Sequence, residues 1–288
     1  MTFEAYAQGF GCLPQATPYH EATRVVVPVP LDPGCGEVPG VGLGPLAVLG
    51  ASRFVETFDA DLGFDPLDRG VATLDPPELS YDDPATPLEQ IRALAAGILG
   101  DGKLPLYIGG ERIIALPAAR AASERHGDIG VVLVARRPGW LDRDAGRVVT
   151  PLTIGRRLSE LWPTLVVGPR WWNALEDAAL ERVPGARMIP AREVLGGIGT
   201  ERLRAAGLPA RAHLSIDVGV LDPSVLPMPG NLEPGGLGWY DLVDLVDAAF
   251  ESFEVVSCDV SGFAPSFGNA ATSLLVAQLV VRCLGRAP

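Results

Sequence analysis

The residues most able to do chemistry cluster in Leu214–Leu237, where an apolar run ends in Ser215-Ile216-Asp217. Asp222-Pro223 follows, then a Gly/Pro-rich loop closing on Glu233-Pro234-Gly235-Gly236-Leu237. Short β-branched strands that hand polar residues to a C-terminal loop are where open α/β sheets build sites. A carboxylate such as Asp217 ligates a hard cation or pairs with an arginine. Arginines are at hand: Arg112 after the apolar run ending in Gly109-Gly110, and Arg136 and Arg137 after Ile129–Val134. A guanidinium stays charged and cannot ligate a metal. Cys258, near the end of an apolar run with no partnering histidine, is expected in the core. Ser215 and Ser261 show no evident base, so no catalytic residue is assigned. Asp222 is expected to cap a turn before Pro223, and Glu233 to hold backbone amides of its loop.

The elements that must position these residues alternate regularly. Strands are predicted at 23–30, 70–75, 104–110, 129–134, 165–170, 186–190, into 214–217 and at 253–260, short and apolar, the first halted by proline. Helices are predicted from Gly44, from Thr86 as N-cap with Pro87 at N1, after Arg112, over 155–162, 173–182 and 199–206, over 239–250 and from Thr272. There is no composition break and no internal repeat. The alternation predicts one doubly wound, mainly parallel sheet with helices on both faces, in a single domain over 23–288 after an N-terminal arm over 1–22.

The order of these motifs resembles the ureohydrolase superfamily, arginase and agmatinase, over roughly residues 23 to 285. Gly109-Gly110 stands where the family has G-G-D-H-S, Ser215–Pro223 where it has S-x-D-x-D-x-x-D-P, and Glu233–Leu237 where it has P-E-P-G-G-L. Asp259 and Pro265 keep the register of D-x-x-E-x-x-P. The resemblance implies a three-layer α/β/α fold, trimers or hexamers, and hydrolysis of a guanidinium carbon by hydroxide bridging two Mn2+ ions. Carried over residue by residue, the six ligand positions fall on Arg112, Ala135, Arg137, Gly139, Asp217 and Gly219, and the guanidinium-binding position on Gly262. Only Asp217 is a ligand type, and none of His20, His126 and His213 aligns with a ligand position. At the positions the resemblance gives to the metal ions, the arginines imply an ion pair, Asp217 with Arg112 or Arg137, or a site for a small carboxylate or phosphate formed by Arg112, Arg136 and Arg137. The expectation is therefore a protein with no metal cofactor, a catalytically inactive structural or regulatory subunit. Its partners would be copies of itself or an active paralogue. The alternatives are a small-anion-binding protein or enzyme of other chemistry in the arginine-lined cleft, and a residual agmatinase-type C–N hydrolase.

Composition sets outer bounds. A net charge of −12 argues against nucleic-acid backbones and leans toward cationic ligands. The four cysteines, Cys12, Cys35, Cys258 and Cys283, share no ligand spacing, and with no leader-like N-terminus a cytoplasmic protein away from membranes is expected.

Overall fold

The structure, a computed structural model, describes residues 9–12, 17–36, 38–266 and 268–287. Part of the predicted N-terminal arm, 1–8 and 13–16, lies outside the described residues. The strands are β1 (Arg24–Val29), β2 (Val71–Thr73), β3 (Leu104–Gly109), β4 (Gly130–Val134), β5 (Thr164–Val167), β6 (Ala186–Ile189), β7 (Arg211–Asp217) and β8 (Glu254–Ser261). They form an eight-stranded sheet in the order β2-β1-β3-β8-β7-β4-β5-β6. Every pairing is parallel. The crossovers are the helices α1 (Gly44–Ala51), α2 (Thr86–Gly100), α3 (Ala115–His126), α4 (Ile154–Ser159), α5 (Ala174–Leu180), α6 (Ala191–Val194), α7 (Thr200–Arg204), α8 (Trp239–Ser252) and α9 (Ala270–Arg286). The predicted α/β sheet is present.

Strand alternation sends successive side chains to opposite faces. Leu106, Ile108, Leu214, Ile216, Cys258 and Val260 pack on the side of α1, α8 and α9. Val25, Val27, Tyr107, Val131 and Leu133 pack on the side of α2, α3 and α4. Helices thus cover both faces, as a fully parallel sheet requires. Cys258 is buried in this core, and Cys35, Cys258 and Cys283 are free thiols. No helix among the described residues is long and apolar enough to cross a membrane.

Some boundaries move for physical reasons. Thr86 is not the cap of α2 but its first residue; the turn before it is closed by Asp83, whose Oδ1 accepts the Ala85 N–H at 2.8 Å. The last helix starts at Ala270, two residues ahead of Thr272. The four-residue α6 was not foreseen; so short a segment shows no helical period. At the far edge, buried Arg282 of α9 bridges Asp59 at 2.6 Å and Asp247 of α8, tying the 59–61 excursion to the helical layer.

Candidate functional site

Four adjacent strands, β3, β8, β7 and β4, end on one side of the sheet, at the point where the strand order reverses. Such reversals open a crevice at the strands' carboxyl ends. The chain after β3 brings Glu111 and Arg112, β7 brings Asp217, the chain after β4 brings Arg136 and Arg137, and β8 leads to Gly262. Val38, Val41, Pro151 and Met228 complete the wall, and the space they enclose is about 20 Å³. That is room for about one water molecule.

Charge is matched within this crevice. Arg112, 3% exposed, lies 3.5 Å from Asp217, 5% exposed, and donates to the carbonyls of Arg137 and Pro151. Asp217 Oδ1 accepts the Gly219 N–H at 2.8 Å. Arg137 does not reach for Asp217: it pairs with Glu233 at 3.2 Å, and Arg136 pairs with the other oxygen of Glu233 at 2.7 Å. Glu233 therefore does more than hold loop amides. Burial disfavours its charge, but Arg136 and then Arg137 outweigh this and hold its carboxyl below the usual range. The one signal for this in the sequence is that two consecutive arginines at a strand end need an acid, and Glu233 lies on the neighbouring loop.

The remaining positions carried over from the resemblance are backbone sites. Ala135 is fully buried and its N–H extends the β4–β5 ladder to Val167 O; Gly139 accepts the Arg156 N–H at 2.9 Å. Gly262 has φ +79, and a Cβ there would strike Asp217 Oδ1. A side chain at 262 thus meets both left-handed backbone strain and the Asp217 carboxyl. Asp222 caps its turn through Ser224 and also accepts the Gly235 and Gly236 N–H groups. Donor chemistry here does not fit a divalent metal pair: Asp217 faces a guanidinium, and no group of three or more His, Cys, Asp or Glu suited to a metal exists among the described residues.

Two features escaped sequence reasoning. Glu111, 4% exposed, has its carboxyl pushed up to about 7 by burial, with the Arg112 N–H and guanidinium opposing. Its unfolded value is near 4.5, so ionisation is harder in the folded state. As pH rises from about 4.5 to about 7 the unfolded chain loses this proton first, and stability falls until the folded group also ionises. Glu111→Gln is expected to stabilise the protein at pH 8 by on the order of 2–3 kcal/mol and to do nearly nothing at pH 4.5. Denaturant titrations at the two pH values measure this; an equal change at both would refute it.

The second is a polar column on the α3 side of β7 and β8. His213 Nε2 lies 3.0 Å from Asp259 Oδ2, and the Ser215 and Ser261 hydroxyls donate to Asp259 Oδ1 at 3.1 and 3.0 Å. All four residues are fully buried. Ser215 and Ser261 thus serve Asp259 rather than lacking a partner. The signal was in the sequence: polar residues at every second place in otherwise apolar strands, His213, Ser215, Asp217 and Ser257, Asp259, Ser261.

The arginase-family model matches residues 22–285. The chain belongs to the arginase family. It is 33% identical over 272 residues to N(1)-aminopropylagmatine ureohydrolase of Thermus thermophilus, covering 93% of this chain and 92% of that protein. It is 31% identical to the enzyme of the same name from Synechocystis sp., covering 93% and 90%. Its fold matches agmatine ureohydrolase of Thermoplasma volcanium (TM-score 0.84, 24% identity, 99% and 94% coverage). It also matches Trypanosoma cruzi formiminoglutamase, solved with Mn2+ (TM-score 0.80, 20% identity, 96% and 97% coverage).

These relatives correct three expectations. The inactive structural or regulatory subunit gives way because the similar proteins are named enzymes along nearly the whole chain, and nothing positive marks an inactive copy. The alternative of an anion-binding protein of unrelated chemistry gives way to the same finding. The expectation of no cofactor is also withdrawn: the family includes a member solved with Mn2+, and unsuited side chains at inferred positions do not establish absence. The residues at single ligand positions do not decide the activity where similarity runs along nearly the whole chain.

Proposed function

We propose that the protein is an agmatinase-type ureohydrolase, hydrolysing the guanidino C–N bond of an alkylguanidine to urea and an amine. The observation that supports it most is the 33% identity to N(1)-aminopropylagmatine ureohydrolase over 93% of this chain. Water adds at the guanidino carbon, the bond to the substituted nitrogen breaks, and that nitrogen leaves as the protonated amine. Among the described residues, the carboxyl groups of Glu111, Asp217 and Glu233 stand around the crevice. Arginine heads are chemically the same group as the substrate's head, so a substrate guanidinium can take over a carboxylate that Arg136 or Arg137 now holds. Because the space holds about one water, entry requires those two side chains to swing outward with Glu233, which is 20% exposed at its side chain.

The same reading takes 23–288 as one ureohydrolase-like unit behind an arm over 1–22. It also takes the protein as cytoplasmic and as assembling with copies of itself, for which the exposed Phe54 and Phe58 offer apolar surface. The test is urea release from agmatine and from N(1)-aminopropylagmatine, with and without added Mn2+. Urea above the no-enzyme blank supports the reading; none from either substrate with Mn2+ present overturns it.

A further inference from the structure

Among the described residues, Met228 lines two spaces at once. On one side is the crevice of about 20 Å³. On the other is an open hollow of about 430 Å³ whose walls include Pro223, Pro227, Pro229 and Leu232. Met228 is 6% exposed, although Pro227, Pro229 and Leu232 around it are exposed. It is the partition between the two spaces.

The backbone that carries this partition is fixed. Met228-Pro229-Gly230-Asn231 is a tight turn closed by the Asn231 N–H on the Met228 carbonyl at 3.2 Å, with proline second and Gly230 third at φ +76. This is the type II pattern, which calls for glycine at its third place. A Cβ at Gly230 would collide with Val38, a wall of the crevice, so the turn rests directly on that wall. Asn231 is clamped in turn. Its Nδ2 donates to the Leu221 and Leu226 carbonyls at 3.0 and 3.2 Å, and its Oδ1 accepts from Arg170 at 2.8 Å. With the backbone held on both sides, the part left to move is the methionine side chain, unbranched and with three rotatable bonds.

A guanidino head finds room when Arg136 and Arg137 swing outward with Glu233, but an alkyl chain attached to it does not fit in the space of one water molecule. The chain has to cross a wall. Val38 and Val41 are β-branched and stiff, and Pro151 is held by its ring and by the Arg112 guanidinium on its carbonyl. Met228 is the flexible apolar member of that wall. We propose that Met228 is a specificity-determining gate, whose side chain swings aside to pass the substrate's alkyl chain from the crevice into the hollow. The described lining residues of the hollow carry no charge, so it takes methylene groups against its prolines. The inference rests on the ureohydrolase reading and adds to it the residue that sorts guanidines by the length of their N-substituent.

The sequence has three methionines, Met1, Met188 and Met228, so labelling their methyl carbons gives the full-length protein a signal at the gate that Met228→Leu identifies. Agmatine is added with Mg2+ in place of the paramagnetic Mn2+. The expected result is a shift of the Met228 methyl with Met188, on the edge strand β6, unmoved. In parallel, urea release is measured with Mn2+. Met228→Trp, bulkier at the gate, is expected to lower kcat/KM for agmatine about tenfold. Inhibition by methylguanidine, whose one methyl stops short of the gate, should stay within about twofold. Equal losses for the two guanidines overturn the gate. Urea release by the wild type with a silent Met228 methyl counts against the gate alone. A Met228 methyl that responds to agmatine in a protein releasing no urea counts against the ureohydrolase reading alone, and silence in both measurements counts against both.

Discussion

Arg170→Met lowers the free energy of unfolding by about 3–5 kcal/mol. Arg170 follows β5, and its guanidinium donates to the carbonyls of Glu233 (3.1 Å), Val220 (3.0 Å), Gly219 (3.1 Å) and Leu221 (3.4 Å) and to Asn231 Oδ1 (2.8 Å). Burial, and then Arg136, lower its pKa from the ordinary value. The chain from 219 to 233 is tied back by a single parallel bridge, Leu221 with Leu237; Val220 O also accepts the Leu237 N–H and Leu221 O the Asn231 amide, whereas the Gly219 and Glu233 carbonyls have the Arg170 side chain as their partner. An apolar replacement of similar length fills the volume and leaves those acceptors unpaired, at about 1–3 kcal/mol for each that water cannot reach. Arg170→Lys recovers only part, because an ammonium cannot reproduce the planar fork. Hydrogen exchange should show the loss confined first to 218–236. Full protection of that loop in Arg170→Met would refute the account. Glu233 rides on the same loop, so the variant also loosens the pairing of Arg136 and Arg137.

Asp259→Ala is expected to be comparably costly, about 3–5 kcal/mol. The loss is not that of one hydrogen bond. His213, Ser215 and Ser261 all aim at the two oxygens of Asp259, and none of them is exposed to solvent. Removing the acceptor strands three buried donors. Converting His213 and Asp259 together to leucine should cost less than the sum of the single changes, with a coupling of about 1–3 kcal/mol by double-mutant cycle. Additive losses would mean the pair is not a unit. Ser215 and Ser261 flank Asp217 and Gly262 in sequence, so the column also sets where β7 and β8 release the chain into the crevice.

The sheet was legible because its strands are short apolar runs, and β1, β3, β4 and β8 lie within a residue or so of their expected places. The strand order was not legible in the residues themselves. Nothing in the runs at 104–110 and 129–134 says that two later strands will lie between them. The register shift between Ala212 and His213 is likewise invisible, since it depends on the neighbour across the ladder. At the site, Asp217 with Arg112 was one of the two pairings expected, whereas Glu233 as the partner of Arg136 and Arg137 was not foreseen. Charge pairing is a three-dimensional property, and Glu233 lies 96 residues beyond Arg137. The functional expectation failed for a different reason: it read ligand identities one at a time, while similarity along the whole chain carries more weight.

The strand order has a consequence for how the protein is made. β3 and β4 are consecutive in the chain, yet β8 and β7, among the last elements synthesised, stand between them. On the ribosome the first 210 residues can form only two half-sheets, β2-β1-β3 and β4-β5-β6, each with an open inner edge. Such edges invite mispairing while they wait. Arg112, Arg136 and Arg137 emerge well before Asp217 and Glu233, the acids that hold them. Of the cleft's charged residues, Glu111 and the three arginines therefore emerge first, and the cleft is among the last parts of the molecule to come into being.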